Sequence, residues 1–116
     1  MTIGEAAEAL EATIVFCDGK TDKPLTAACG ADLMSDVLTF AKEGSLLLTG
    51  MVNQHVIRTA EMLDVICICF VRGKQPSEDV CTLARQTGVT LLASSMTLYE
   101  ACGRLFAKGL PPCDRL

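Results

Sequence analysis

Several residue types and patterns are scarce in this chain of 116 residues. It has no Trp, one Tyr and four Phe, so its core must be built from Leu, Val, Ile, Ala, Met and Cys. A single His, His55, leaves little room for a His-based metal centre. No apolar run approaches the roughly 18 residues that read as a membrane-spanning helix. The first residues, MTIGE, have neither the basic region nor the apolar stretch of a secretory signal. The ten Lys and Arg are scattered and outnumbered by fourteen Asp and Glu, giving a net charge of −4. Nucleic-acid binding draws on clustered cations that displace counterions. Neither nucleic acid nor membrane is therefore an expected partner. Cys-x-x-Cys is also absent, and zinc and iron–sulfur sites characteristically use such a tight ligand pair. No metal and no cofactor are expected.

What the chain has in quantity is apolar surface, at 50% of residues. Its length suits one domain, 1–116, able to bury roughly two-thirds of its unfolded surface without a disulfide or metal. Seven cysteines, an odd number with no secretion signal, read as reduced thiols in a cytoplasmic protein. Most are expected to be small buried hydrophobes. Cys67 and Cys69, two apart in a strand pattern, share one face of it.

The richest stretch runs from 45 to 99 and reads strand–helix–strand–helix–strand. The strands are SLLLT at 45–49, VICICFV at 65–71 and VTLLA at 89–93. Their starts lie 20 and 24 residues apart, the spacing of βα units. Each is a near-continuous apolar run, the mark of a parallel strand buried on both faces. Upstream, Thr2 and Glu5 form a capping-box pattern that opens a helix over 3–11. TIVFC at 13–17 reads as a strand, and 25–29 as a weaker one. A helix over 33–42 would turn Leu33, Val37, Leu38 and Ala41 inward, with Gly44 closing it. Further helices are expected over 56–63, over 78–86 between the Ser77 cap and Gly88, and over 98–108. Thr97 and Glu100 form a second capping box for the last, and Gly109 stops it. Residues 110–116 are left as a tail. The fold class is α/β: one domain with a mainly parallel sheet of about five strands covered by helices.

Gly19-Lys20-Thr21 follows a strand, as the end of a P-loop does. The earlier glycine of that motif is missing, with Ile14 in its place, and Pro24 arrives before any helix. It reads as a turn. Asp32 and Asp36 stand one helical turn apart and could flank a cation, but Asp32 reads more simply as an N-cap. His55 has no Ser, Cys or Asp at a catalytic spacing. In open α/β sheets, ligands collect at the carboxyl ends of strands. The candidate ligand-binding residues at that edge are Asn53 and His55 after the first strand of the unit, Arg72, Gly73 and Lys74 after the second, and Ser94 and Ser95 after the third. Cationic side chains, a glycine and helix N-termini there suit an anion or an acidic protein surface.

The stretch from Thr49 through Glu100 resembles the DRTGG domain family and, more distantly, the N-terminal domain of bacterial HPr kinase/phosphorylase. The shared frame is LLTG at 47–50, the strand 65–71, RGKQP at 72–76, ARQTGV at 84–89 and LASSMT at 92–97. Upstream, DLMSDV at 32–37 and AKEG at 41–44 resemble small stand-alone members of clostridial type, so the resemblance covers 13–109. The family's Asp-Arg pair falls at Val52-Asn53 and its Thr-Gly-Gly at Val71-Arg72-Gly73, of which Gly73 is kept. The resemblance implies a bacterial, non-catalytic regulatory, ligand-sensing or protein-interaction domain that pairs with itself as a homodimer, with an anionic small molecule or another protein as partner. Two alternatives are a small phosphate-handling enzyme using the strand-end loops and a thiol-based redox or metal protein.

Overall fold

The computed structural model describes residues 1–113, so the expected tail is described only as far as Cys113. Five strands form one mixed sheet in the order β1-β5-β4-β3-β2. They are β1 (Thr13–Phe16), β2 (Ala28–Gly30), β3 (Leu46–Thr49), β4 (Cys67–Phe70) and β5 (Thr90–Ala93). β2 to β5 run parallel, while β1 lies antiparallel on β5 with an irregularity between Ile14 and Phe16. The helices are α1 (Ile3–Ala9), α2 (Met34–Phe40), α3 (Gln54–Met62), α4 (Glu78–Thr87) and α5 (Leu98–Ala107).

The sheet separates two cores. Leu46, Leu48, Cys67, Cys69, Val71 and Leu92 pack with Ile3 and Ala6 of α1 and with Ala101 and Leu105 of α5. Leu47, Ile68, Phe70 and Leu91 pack instead with α2, α3 and α4. Successive residues of β3, β4 and β5 therefore feed opposite cores, which is why those strands are apolar at nearly every position. The single α/β domain with a mainly parallel five-stranded sheet is as the sequence implied.

The capping chemistry follows the sequence closely. Thr2 Oγ1 accepts from the Glu5 N–H while the Glu5 carboxylate accepts from the Thr2 N–H, closing the capping box. Ser77 caps α4, and Gly88 ends it at φ +78 in the left-handed region. Thr97 Oγ1 accepts from the Glu100 N–H at 3.2 Å, one half of the second box. Gly19-Lys20-Thr21 is a turn, with Asp18 and Lys23 paired at 3.1 Å.

Two readings need correction. α2 is shorter than 33–42, and it buries Met34 and Val37 while Leu33 and Leu38 face solvent. Its N-cap is Leu33, with no side-chain cap, because the Asp32 carboxylate is engaged elsewhere. The helix therefore starts later and presents a narrower apolar face. Asp32, lying outside the helix, forms no helical pair with Asp36.

Candidate functional site

In a parallel sheet, the loops that follow successive strands emerge at one edge. Here the loop after β2 brings Asp32, the end of β3 brings Thr49 and Gly50, and the loop after β4 brings Arg72 and Gly73. The Gly50 N–H donates to Asp32 Oδ1 at 2.7 Å, and the Thr49 hydroxyl donates to the same oxygen at 3.2 Å. Arg72 Nη1 lies 3.6 Å from Asp32 Oδ2. The Gly50 N–H holds the Asp32 carboxyl below its usual range, with the Thr49 hydroxyl and Arg72 adding to the effect.

Arg72 reaches this position through an unusual backbone. Its φ is +60 and that of Gly73 is +70. The Lys74 N–H closes back on the Val71 carbonyl at 3.2 Å. Two successive positive φ values under an i to i+3 hydrogen bond are the mark of a type I′ turn, whose first central position favours Asn, Asp or Gly. An arginine there costs on the order of 1–2 kcal/mol. The turn is held by the Arg72 N–H on the Met96 carbonyl (2.7 Å) and the Gly73 N–H on the Ser94 carbonyl (3.0 Å). The Arg72 guanidinium lies directly over Gly50, in the space that any side chain at position 50 would fill.

The other predicted residues are placed differently. Ser94 is buried: its hydroxyl donates to the Leu10 carbonyl at 2.8 Å and accepts from the Met96 N–H, so it is spent on joining α1 to the β5 end. Asn53 caps α3 through Val56. His55, Lys74 and Ser95 are exposed, and among the described residues His55 and Lys74 make no side-chain hydrogen bond or ion pair. The structure thus gathers Arg72 and Gly73 with Asp32, Thr49 and Gly50. The sequence reading did not assign Asp32 to this edge. The available signal was positional: Asp32 lies two residues past the end of β2, the strand beside β3, and so must emerge next to Gly50.

Exposed apolar side chains occur beside the cluster in sequence and on α5. Leu33 and Met51, each next in sequence to a member of it, are 62% and 41% exposed, and Tyr99 on the first turn of α5 is 90% exposed. Tyr99 also tops an apolar groove of about 390 Å³ between α5 and the β2 margin. Gly30, Leu48, Cys102, Phe106 and the Pro111-Pro112 segment line it. That volume is within the range of small-molecule clefts. Among the described residues, no group of three or more His, Cys, Asp or Glu is placed to hold a metal, and no helix is long and apolar enough to cross a membrane.

Compared with known proteins, the chain matches no family model and no curated protein. Solved structures do match. One is the crystal structure of the CBS and DRTGG domains of the regulatory region of Clostridium perfringens pyrophosphatase, complexed with the activator diadenosine tetraphosphate. It superposes with a TM-score of 0.76 at 19% identity, over 95% of this chain and 47% of that one. This chain is thus similar in fold to about half of a two-module regulatory region.

Proposed function

We propose that this chain is a non-catalytic, ligand-sensing regulatory domain of DRTGG type, working as a homodimer. Its ligand would be an anionic metabolite, with a nucleotide as the first class to test, bound at the carboxyl edge of the sheet around Arg72. The observation that carries this reading is the Arg72 turn. An arginine held in a left-handed conformation, with its guanidinium packed onto the bare backbone of Gly50, is a local strain of the kind that collects at ligand clamps. A guanidinium beside backbone N–H groups suits phosphate or carboxylate. The exposed Leu33 and Met51, next in sequence to Asp32 and Gly50, suit the flat apolar part of the same molecule. The pyrophosphatase regulatory region with its dinucleotide activator supports nucleotides as the starting class. Asp32 gives the site its response: an arriving anion has to compete with its carboxylate for Arg72, so binding would rearrange the loop that leads into α2.

The test is a thermal-shift and calorimetric screen of mono- and dinucleotides and of carboxylate metabolites. A true ligand at a hundredfold excess over its Kd should stabilise the fold by about 2.7 kcal/mol. Arg72→Ala should weaken it by about 1–3 kcal/mol while leaving the fold intact, since the side chain is exposed. Binding that survives Arg72→Ala unchanged would move the site elsewhere. Light scattering tests the homodimer, which has twice the 12.3 kDa chain mass.

A further inference from the structure

The margin of the sheet at β2 holds a pair of thiols with no part in the carboxyl-edge site. Residues 111–113 run alongside β2. Ala28 and Pro112 form a parallel bridge, with the Ala28 N–H on the Pro111 carbonyl (2.9 Å) and the Cys113 N–H on the Ala28 carbonyl (3.1 Å). In a parallel ladder, residues one step beyond a bridged pair are neighbours whose side chains point to the same face. That step places Cys29 beside Cys113, and Cys113 is among the neighbours that raise the Cys29 thiol. Neighbouring strands lie about 4.8 Å apart, within the Cα separation that a disulfide tolerates. Both residues are only partly buried. Cys102 comes near the same margin from α5, where its Sγ lies against Gly30. Ala28 and Cys102 pack on the α1/α5 core, whereas Cys29 packs on the α2–α4 core, so the strand itself lies between Cys102 and the pair.

We propose that Cys29 and Cys113 are a reversible oxidation site, converted by a hydroperoxide into a disulfide that pins the 111–113 segment to the sheet. The first step takes Cys113, on the outer segment, to a sulfenic acid: the thiol sulfur attacks the peroxide, the O–O bond breaks, and the peroxide leaves as water or an alcohol. In the second, the Cys29 sulfur displaces hydroxide from that sulfur, the S–S bond forms, and the Cys29 proton leaves in the water produced. Two thiols lose two electrons and the peroxide gains them. Burial, with Cys113, Cys102 and Asp36 nearby, pushes the Cys29 thiol up to about 11, which assigns it the resolving step rather than the first attack. The consequence is local. Pro111 and Pro112 form a wall of the apolar groove, and the cross-link would fix that wall.

The experiment treats the reduced full chain, at dilute concentration, with hydrogen peroxide, and maps disulfides by non-reducing digestion and mass spectrometry. The expected result is an intramolecular Cys29–Cys113 linkage, two hydrogens lighter than the thiols and reversed by reductant. Cys29→Ser and Cys113→Ser should each abolish it, and Cys102→Ser should not. A second probe needs no oxidant: phenylarsine oxide, which bridges neighbouring thiols with release of water, should bind wild type and lose that binding in Cys113→Ser. A linkage to Cys102 instead, cross-linking only between molecules, or equal arsenical binding by wild type and Cys113→Ser would overturn the proposal.

Discussion

The centre and the margins of this sheet are built to different rules. β3, β4 and β5 are buried at every position, each held by a strand on both sides. The margins are thinner. β1 has two exposed and two half-buried residues, and β2 is three residues long with none fully buried. Cys67 and Cys69, in the centre, are fully buried, and burial pushes Cys69 up to about 12 and Cys67 well above its ordinary value. Those thiols are locked in the neutral form and act as packing. The cysteines at the β2 margin are half-exposed. The same residue type thus serves two purposes, and what separates them is whether a full strand lies on each side. The centre specifies the fold; the β2 margin, with its groove, thiols and close-packed glycine, is where chemistry is accessible.

The sharpest way to break this contrast is a truncation at the centre. Phe70 is fully buried on β4 between Thr49 and Ala93 of the flanking strands. Phe70→Ala should cost about 3–5 kcal/mol, a large part of the 5–15 kcal/mol typical of a domain. Urea denaturation measures it, and a loss below about 1 kcal/mol would mean the centre is not the rigid part.

A smaller effect is expected at the margin, from a residue with no side chain. A Cβ at Gly30 would meet Cys102 Sγ at 2.6 Å and Leu98 Cδ1 at 3.5 Å. Gly30 is not in the left-handed region, so the cost of Gly30→Ala is steric: the Cys102 side chain has to turn away or α5 has to move off β2. Overpacking of this kind costs about 1–3 kcal/mol. The double variant Gly30→Ala, Cys102→Ala should recover part of the loss, because it removes the nearer of the two atoms. No recovery would show that the strain lies in the backbone rather than at Cys102.

The same contrast explains what could be read from the sequence. The central strands were legible because a strand buried on both faces leaves an unbroken apolar run, as in LLLT and CICF. β2 lies one to three residues later than the sequence suggests, because Ala-Cys-Gly carries no such signal. Caps were legible at Thr2, Ser77 and Thr97 because their partners are local. At the candidate site, the parallel topology alone puts the loops after β3 and β4 on one edge, so the nearness of Arg72 and Gly73 to Gly50 is legible. The Asp32–Arg72 pairing joins residues forty apart and has no local signature. Ser94 looked available because a strand-end hydroxyl usually faces solvent; here the α1–β1 connection folds over it and takes its hydrogen bond. The type I′ turn was hidden because arginine is the wrong residue to announce one.

The smallest expected effect isolates the charge at that site. Asp32→Asn keeps an oxygen that can still accept from Gly50 and Thr49, and removes only the ionic part of the interaction. Asp32 and Arg72 are each about two-fifths exposed (42% and 43%), so solvent screens the pair. A contribution below about 1 kcal/mol is expected. Its pH dependence has a fixed sign. The folded-state value of Asp32 is depressed, so between that value and the unfolded one the unfolded chain is the form that binds more protons. The stabilisation is therefore complete above the unfolded carboxyl value of about 3.9 and is lost as pH falls through the lower folded value. Thermal midpoints of wild type and Asp32→Asn should differ slightly at neutral pH and converge in acid below that window. Added salt should narrow the neutral-pH gap, since the Arg72 pairing is exposed to screening while the Gly50 hydrogen bond is not an ion pair. A gap that persists unchanged in strong acid would show that Asp32 acts through the shape of its loop rather than through its charge. Asp32 would then hold Arg72 by position alone, and an anion would bind beside it without competition.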